Sequence, residues 1–186
     1  MNARQRQNRN RRLIQMIFGS QIFSYFSTYK LRIWAYRKCF DIGENLRIME
    51  GVYISRQHGV EGKLTIGRNV ILGRNITIDY TGDVILEDEV DLSAGVMLIT
   101  HSHDMFDKQS KKIILVPLHV AEGAWISVNA MIMPGVGYIG KQAVISAGSV
   151  VYKQVPDYAI VRGNPAKIIA TVPPEMRNRW KTEAMS

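Results

Sequence analysis

His101 and His103 stand two residues apart in the stretch Thr100-His101-Ser102-His103-Asp104, and they are half of the chain's histidines. Imidazole titrates near neutral pH, so a histidine held beside an attacking hydroxyl can take its proton. The pair and Asp104 also invite a metal reading. Two histidines with one intervening residue need further ligands of suitable geometry, and no third histidine recurs at a matching spacing, so no metal is expected. His58 and His119 are isolated in sequence and are weaker candidates for a direct role. The single cysteine, Cys39, allows neither an intrachain disulfide framework nor a cysteine-rich metal site, which fits a reducing compartment. No GxxxxGK[ST] phosphate loop is present.

The elements that must position these histidines are written in a six-residue beat. Apolar residues recur at Ile66, Leu72 and Ile78, at Leu86, Leu92 and Leu98, at Val120, Ile126 and Ile132, and at Ile139, Ile145 and Val151. A looser start is visible at Ile42, Ile48 and Ile54. Small or amide residues follow at the corners, as in Gly67-Arg68-Asn69 and Ser146-Ala147-Gly148, where backbones come close and φ is often positive. A repeat this short makes each unit one flat side of a coil stacked on its neighbours. The expected fold is therefore all-β dominated, a parallel β-helix over 41–170. Excursions fall at 56–63 and Thr81-Gly82, and a charged loop at 100–116 carries the histidine pair. Residues 1–12 read as disordered, 13–38 as helical with a break near Gly19-Ser20, and 171–186 as a short C-terminal helix.

Charge divides the chain. Residues 1–38 hold nine of the 24 basic residues and no acid, leaving fifteen basic against sixteen acidic residues in the remainder. The body is thus nearly neutral, and nucleic-acid binding by it is not expected. The stretch from Leu13 to Tyr29 is too polar to span a bilayer. Basic residues flanking an aromatic-rich helix can instead rest on an anionic membrane face, or the same helix can cap the end of the solenoid. The expected location is cytoplasmic, at or near the inner membrane face.

The chain resembles the left-handed β-helix acyltransferases of the hexapeptide-repeat superfamily, in the branch of maltose/galactoside and polysaccharide O-acetyltransferases. The matching residues are the hexads of 42–155, the histidine loop, Ala124-Trp125-Ile126-Ser127, Met133-Pro134-Gly135-Val136, Val155-Pro156-Asp157-Tyr158 and Gly163-Asn164-Pro165-Ala166-Lys167. The resemblance implies acetyl-CoA as donor, a sugar hydroxyl as acceptor, a base but no covalent acyl-enzyme, and a homotrimer with active sites between subunits.

It also implies roles. His103, eight residues after Gly95, matches the place of the family's catalytic histidine, with His101 as the fallback. Asp79 falls near the carboxylate that holds acceptor hydroxyls, with Tyr80 beside it and Asp91 as an alternative contact; Trp125 borders the cleft. A backbone N–H of Ser127 or Val128 would meet the oxyanion. Ser146, Ala147 and Gly148 would take the pantetheine arm, and Lys153, Arg162 and Lys167 the phosphates of coenzyme A. The expected function is acetyl transfer to a sugar or lipid-linked oligosaccharide in surface or capsular polysaccharide biosynthesis. The alternatives are N-acetylation of an amino sugar or xenobiotic, and a non-catalytic trimeric scaffold.

Overall fold

A computed structural model of the chain describes residues 3–18, 26–57, 59–104, 106 and 112–177. His58, most of the loop tip at 105–111 and the end from 178, where the C-terminal helix was expected, lie outside the described residues.

Each hexad folds into a strand of two or three residues, and three such strands close one triangular coil. Face A contains β1 (Asp41–Ile42), β4 (Leu64–Ile66), β7 (Val84–Leu86), β12 (Leu118–Val120) and β15 (Tyr138–Ile139). Face B stacks β2 (Arg47–Ile48), β5 (Ile71–Leu72), β8 (Asp91–Leu92), β13 (Trp125–Ile126), β16 (Val144–Ile145) and β18 (Ala159–Gly163). Face C stacks β3 (Tyr53–Ser55), β6 (Thr77–Asp79), β9 (Met97–Leu98), β14 (Met131–Ile132) and β17 (Val150–Val151). Pairing between coils is parallel and in register, so Ile66 sits over Leu86 and Leu72 over Leu92. The result is the left-handed β-helix that the beat encodes.

The apolar hexad residues form the core. Ile48, Leu72, Leu92, Ile126, Ile145 and Val161 make one inward column, and Ile54, Ile78, Leu98, Ile132 and Val151 another, all essentially without solvent contact. The columns are continuous because successive strands lie only about 4.8 Å apart. Corners turn through left-handed backbone. Gly95 has φ +73°, and a Cβ there would lie 2.0 Å from Oδ1 of Asn129 on the next coil, so both conformation and space require glycine.

Three departures from the hexad share one edge of the prism, the edge where face C passes to face A. They are the segment between β3 and β4, the Thr81-Gly82 insertion, and the loop between β9 and β12. That loop leaves the prism as an antiparallel hairpin of β10 (His101–His103) and β11 (Ile113–Leu115). The C→A edge is therefore the irregular edge of an otherwise regular solid.

The N-terminal arm differs from expectation. α1 (Ala3–Phe18) is helical from Ala3, where disorder was expected, and α2 (Phe26–Arg37) follows. An open first coil leaves unpaired peptide groups along its edge, which need partners. The Gln15 amide supplies them: its Nε2 donates to Ile54 O (2.8 Å) and its Oε1 accepts from Ile54 N–H (2.8 Å). Arg32 of α2, fully buried, donates from Nε to Phe18 O (2.7 Å) and from Nη1 to Ile48 O (3.0 Å). The arm caps the solenoid. At the other end β18 turns back through an antiparallel pairing with β19 (Ala166–Thr171), and a single 3-10 turn follows at Pro174–Met176.

Candidate active site

Asp79 ends β6 at the C→A edge. Its side chain, 4% exposed, is held by five hydrogen-bond contacts. Oδ1 accepts from the Thr81 N–H (3.1 Å) and from the Thr81 hydroxyl. Oδ2 accepts from the Thr100 N–H (3.0 Å), lies 3.2 Å from the Thr100 hydroxyl, and meets His101 Nδ1 at 2.6 Å. Burial alone would raise this carboxyl's pKa. The donors from Thr81, His101 and Thr100 outweigh it, and the pKa falls below the usual carboxylate value. An ionised carboxylate only accepts, so Nδ1 carries the proton and the basic lone pair of His101 is at Nε2. The ring is thereby fixed in one tautomer and one orientation, which is what a general base requires.

The two threonines lock this pair to the irregular edge. Thr100 Oγ1 accepts from Gly82 N–H (2.9 Å) and bonds the Asp79 carbonyl (2.9 Å), while Thr81 Oγ1 accepts from Gln57 N–H (3.0 Å). Gly82 is needed for the close approach, since a Cβ there would lie 2.5 Å from Thr100 O. The short excursion at Thr81-Gly82 is thus a seat for the residue that launches the histidine loop.

Among the other expected residues, His103 is exposed on the far end of β10, its ring 5.6 Å from that of His101 and edge-on to it. Asp79 was expected to hold acceptor hydroxyls; both of its oxygens are engaged by protein donors, and one of them meets His101. Tyr80 was expected at the acceptor too. It is 3% exposed, its ring packs edge-on against Phe40 at 5.8 Å, and its hydroxyl accepts from Arg11 Nη1 (2.9 Å). His119 sits on face A with Nε2 2.5 Å from Glu87 Oε1, away from the loop. Among the described residues no cluster of His, Cys, Asp and Glu could hold a metal ion.

Comparison with known proteins gives the context for this geometry. No family model matches the chain. Galactoside O-acetyltransferase from Escherichia coli K12 is 32% identical over 135 residues, covering 70% of this chain and 63% of that enzyme. A putative colanic acid biosynthesis acetyltransferase from the same organism is 29% identical over 166 residues, covering 89% and 82%. Among solved structures, a galactoside acetyltransferase in complex with coenzyme A superposes with a TM-score of 0.81 at 25% identity, covering 94% of this chain and 85% of that one. A maltose O-acetyltransferase from Clostridium difficile 630 gives 0.79 at 21% identity, covering 93% and 90%, and supports the fold.

The chain is a relative of the hexapeptide-repeat acetyltransferases and shares their fold.

Members of this family share the coil, and in this hexapeptide-repeat chain the remaining expected residues lie on the coil's other side. Asp91 and Trp125 are register neighbours on face B, and Trp125 Nε1 donates to Ser93 Oγ (2.9 Å). Burial raises the Asp91 carboxyl's pKa, with Arg47 pulling the other way. Ser127, Val128, Ser146, Ala147 and Gly148 line the B→C edge. Ser127 N–H is engaged by Ile145 O (2.9 Å) and Ser146 N–H by Val161 O (2.9 Å), so neither can serve an incoming oxyanion or amide. Val128 and Ala147, between such anchored residues, have no described N–H acceptor. Of the two oxyanion candidates Val128 therefore remains. Gly148 has φ +66° and open space where a Cβ would be, so it serves the turn of the corner. Arg162 and Lys167 are exposed cross-strand partners on the β18–β19 hairpin, beside that edge. Lys153 follows β17 at the C→A edge and is not gathered with them.

Face B and the C→A edge are opposite parts of a triangular prism. One copy of the chain does not bring Trp125 and Val128 to His101.

Proposed function

We propose that the protein is an acetyl-CoA-dependent O-acetyltransferase of a sugar hydroxyl, and that His101, in place of His103, is its general base. The observation that carries this reading is the 2.6 Å contact from buried Asp79 to His101 Nδ1. The acceptor hydroxyl oxygen attacks the thioester carbonyl while Nε2 takes its proton. The Val128 N–H stabilises the developing oxyanion, and collapse expels the coenzyme A thiolate, which recovers the proton from the imidazolium. No acyl-enzyme is needed. Cys39 lies under the cap, its thiol pKa raised by burial.

The donor's pantetheine arm would run along the B→C edge, with its amides facing Val128 and Ala147 and its phosphates near Arg162 and Lys167. Because His101 stands on the C→A edge, the complete site forms between copies, and a homotrimer closes it. The half-exposed Ile114 and Leu115 on β11 and the fully exposed Phe106 offer apolar surface for that packing.

The cap carries exposed Leu13, Met16 and Ile17, with Trp34 on α2. With the arm's arginines this surface would rest on an anionic cytoplasmic membrane face, as suits an oligosaccharide built on a lipid carrier. Among the described residues no helix is long and apolar enough to cross a membrane.

The test is coenzyme A release from acetyl-CoA across a panel of sugars and lipid-linked oligosaccharides. Sugar-dependent release that is lost in His101→Ala supports the reading. Absence of acetyl-CoA binding, read as no thermal stabilisation by the donor, would favour a scaffold instead.

A further inference from the structure

The cavity of about 520 Å³ between α1 and the first coil is used by no step above. Its charged lining is one-signed. Arg11, Arg12 and Arg56 contribute guanidinium groups, Tyr53 and Ser55 add hydroxyls, and no carboxylate lines it. Arg11 is oriented by its bond to Tyr80 OH and by the Phe40 face, 5.4 Å from its guanidinium carbon. A second, smaller cavity of about 320 Å³ shares Arg11 and Tyr80 and adds Arg37, Lys38 and Lys63 against one acid, Asp41. Six cations therefore surround the two connected hollows at this end of the solenoid.

The position of the cavity matters as much as its charge. Ser55, in its wall, is the register partner of Asp79 on the next coil, and Tyr80 immediately follows Asp79. Thr100 and His101 belong to the coil after that. At about 4.8 Å per coil, His101 stands about 10 Å from the Ser55 level along the prism, the length of one or two sugar rings. The basic cavity and the proposed base thus open on the same irregular edge.

We infer that this cavity recognises an anionic group, a phosphate or a carboxylate, carried by the glycosyl acceptor whose hydroxyl is presented to His101. Guanidinium groups suit both anions through paired N–H donors, and a site walled partly by protein strengthens each contact relative to water. The acceptor class is then a sugar bearing a phosphate or a uronic acid. The inference rests on the acetyl-transfer reading only for the word acceptor. Anion recognition itself is independent of chemistry.

The experiment is calorimetric titration of the full chain with galactose 1-phosphate, glucuronic acid, galactose and inorganic pyrophosphate, with acetyl-CoA titrated separately. The proteins are wild type, Arg12→Gln, Arg56→Gln and the charge-keeping Arg12→Lys and Arg56→Lys. The anionic sugars are expected to bind at least about tenfold more tightly than galactose, and each glutamine variant to lose about tenfold, as for one charge-assisted contact. The lysine variants should retain part of the difference, acetyl-CoA binding should not change, and added salt should weaken only the anionic sugars. Tighter binding of galactose 1-phosphate than of glucuronic acid assigns a phosphate, and the reverse a carboxylate. Equal affinity for galactose and its phosphate, or no loss in both glutamine variants with unchanged thermal unfolding, overturns the inference. Pyrophosphate binding as tightly as the anionic sugars leaves a plain anion site and overturns the acceptor claim. Anionic sugars that bind but release no coenzyme A, where galactose does, overturn the acceptor claim and leave the acetyl-transfer reading standing.

Discussion

Replacing Asp79 by asparagine keeps the side chain's shape and exchanges one oxygen for an NH2 donor. Neither orientation of the amide fits. With the nitrogen toward Thr81 it faces that residue's N–H, now 3.1 Å from Oδ1; with the nitrogen toward Thr100 it faces another N–H, now 3.0 Å from Oδ2. In the second orientation His101 can regain a bond only by accepting at Nδ1, which places the ring proton on Nε2 and removes the base. The site is 4% exposed, so an unmatched donor is not rescued by bulk water, and a stability loss of about 1–3 kcal/mol is expected. Loss of a correctly poised base predicts a fall in kcat of about 10²- to 10⁴-fold. KM for acetyl-CoA should hold, because the donor groove lies on another edge. The assay is initial-rate coenzyme A release with both substrates varied, beside thermal unfolding. The Asp79→Asn, His101→Ala double variant should be no slower than His101→Ala alone, since the two residues act as one unit. A folded Asp79→Asn enzyme with unchanged kcat and a raised sugar KM would refute the reasoning and return Asp79 to a direct acceptor contact.

Further outcomes follow from the scaffold. Acid should loosen the C→A edge first. The Asp79 carboxyl's pKa is lower folded than unfolded, so its contribution is present above the ordinary carboxylate range near about 4 and is lost as pH falls through the folded value. Denaturant titrations from pH 7 to 2 should therefore show a loss on the acid side that Asp79→Asn lacks. Asp91 has the opposite sign, its pKa raised mainly by burial, so Asp91→Asn should unfold no earlier than wild type at pH 7 in the same experiment. Gly95→Ala forces a Cβ to 2.0 Å from Asn129 at φ +73° and should cost about 1–3 kcal/mol, read by chemical denaturation. Gln15→Ala leaves the Ile54 N–H and C=O without their cap and should cost about 1–3 kcal/mol, with hydrogen exchange at Ile54 rising before that of β6.

The coil was legible because the core column is also the sequence column. Ile66, Leu72 and Ile78 are spaced six apart in the chain and turn inward on three successive faces. The helical cap was half legible: the apolar residues after Leu13 signalled it, but the arginine-rich start hid the helix from Ala3. One of the arginines, Arg11, reaches Tyr80 and the Phe40 face, which are sixty-nine and twenty-nine residues away in the chain. Such long-range partners leave no local trace.

The histidine pair was visible, and the contact of His101 with Asp79 was not. A count along the chain cannot see that β10 turns outward, leaving His103 exposed while His101 stays against Asp79. Thr81 and Thr100 were missed as parts of the site. A signal was available in their positions: Thr81-Gly82 breaks the hexad one coil below the place where Thr100 opens the large loop. Two breaks that stack in space mark one edge. The division of the expected residues between opposite sides of the prism was also hidden, because strand order around a coil appears only once the coil is closed.

The most direct measurement of the central claim is the pH dependence of kcat/KM for sugar-dependent coenzyme A release in wild type, His101→Ala and His103→Ala. The account predicts a wild-type kcat/KM that falls on the acid side as the base is protonated, a loss of about 10²- to 10⁴-fold in His101→Ala with that acid limb gone, and a His103→Ala enzyme of wild-type order with the limb intact. A His101→Ala enzyme that keeps its rate while His103→Ala loses it would contradict the account.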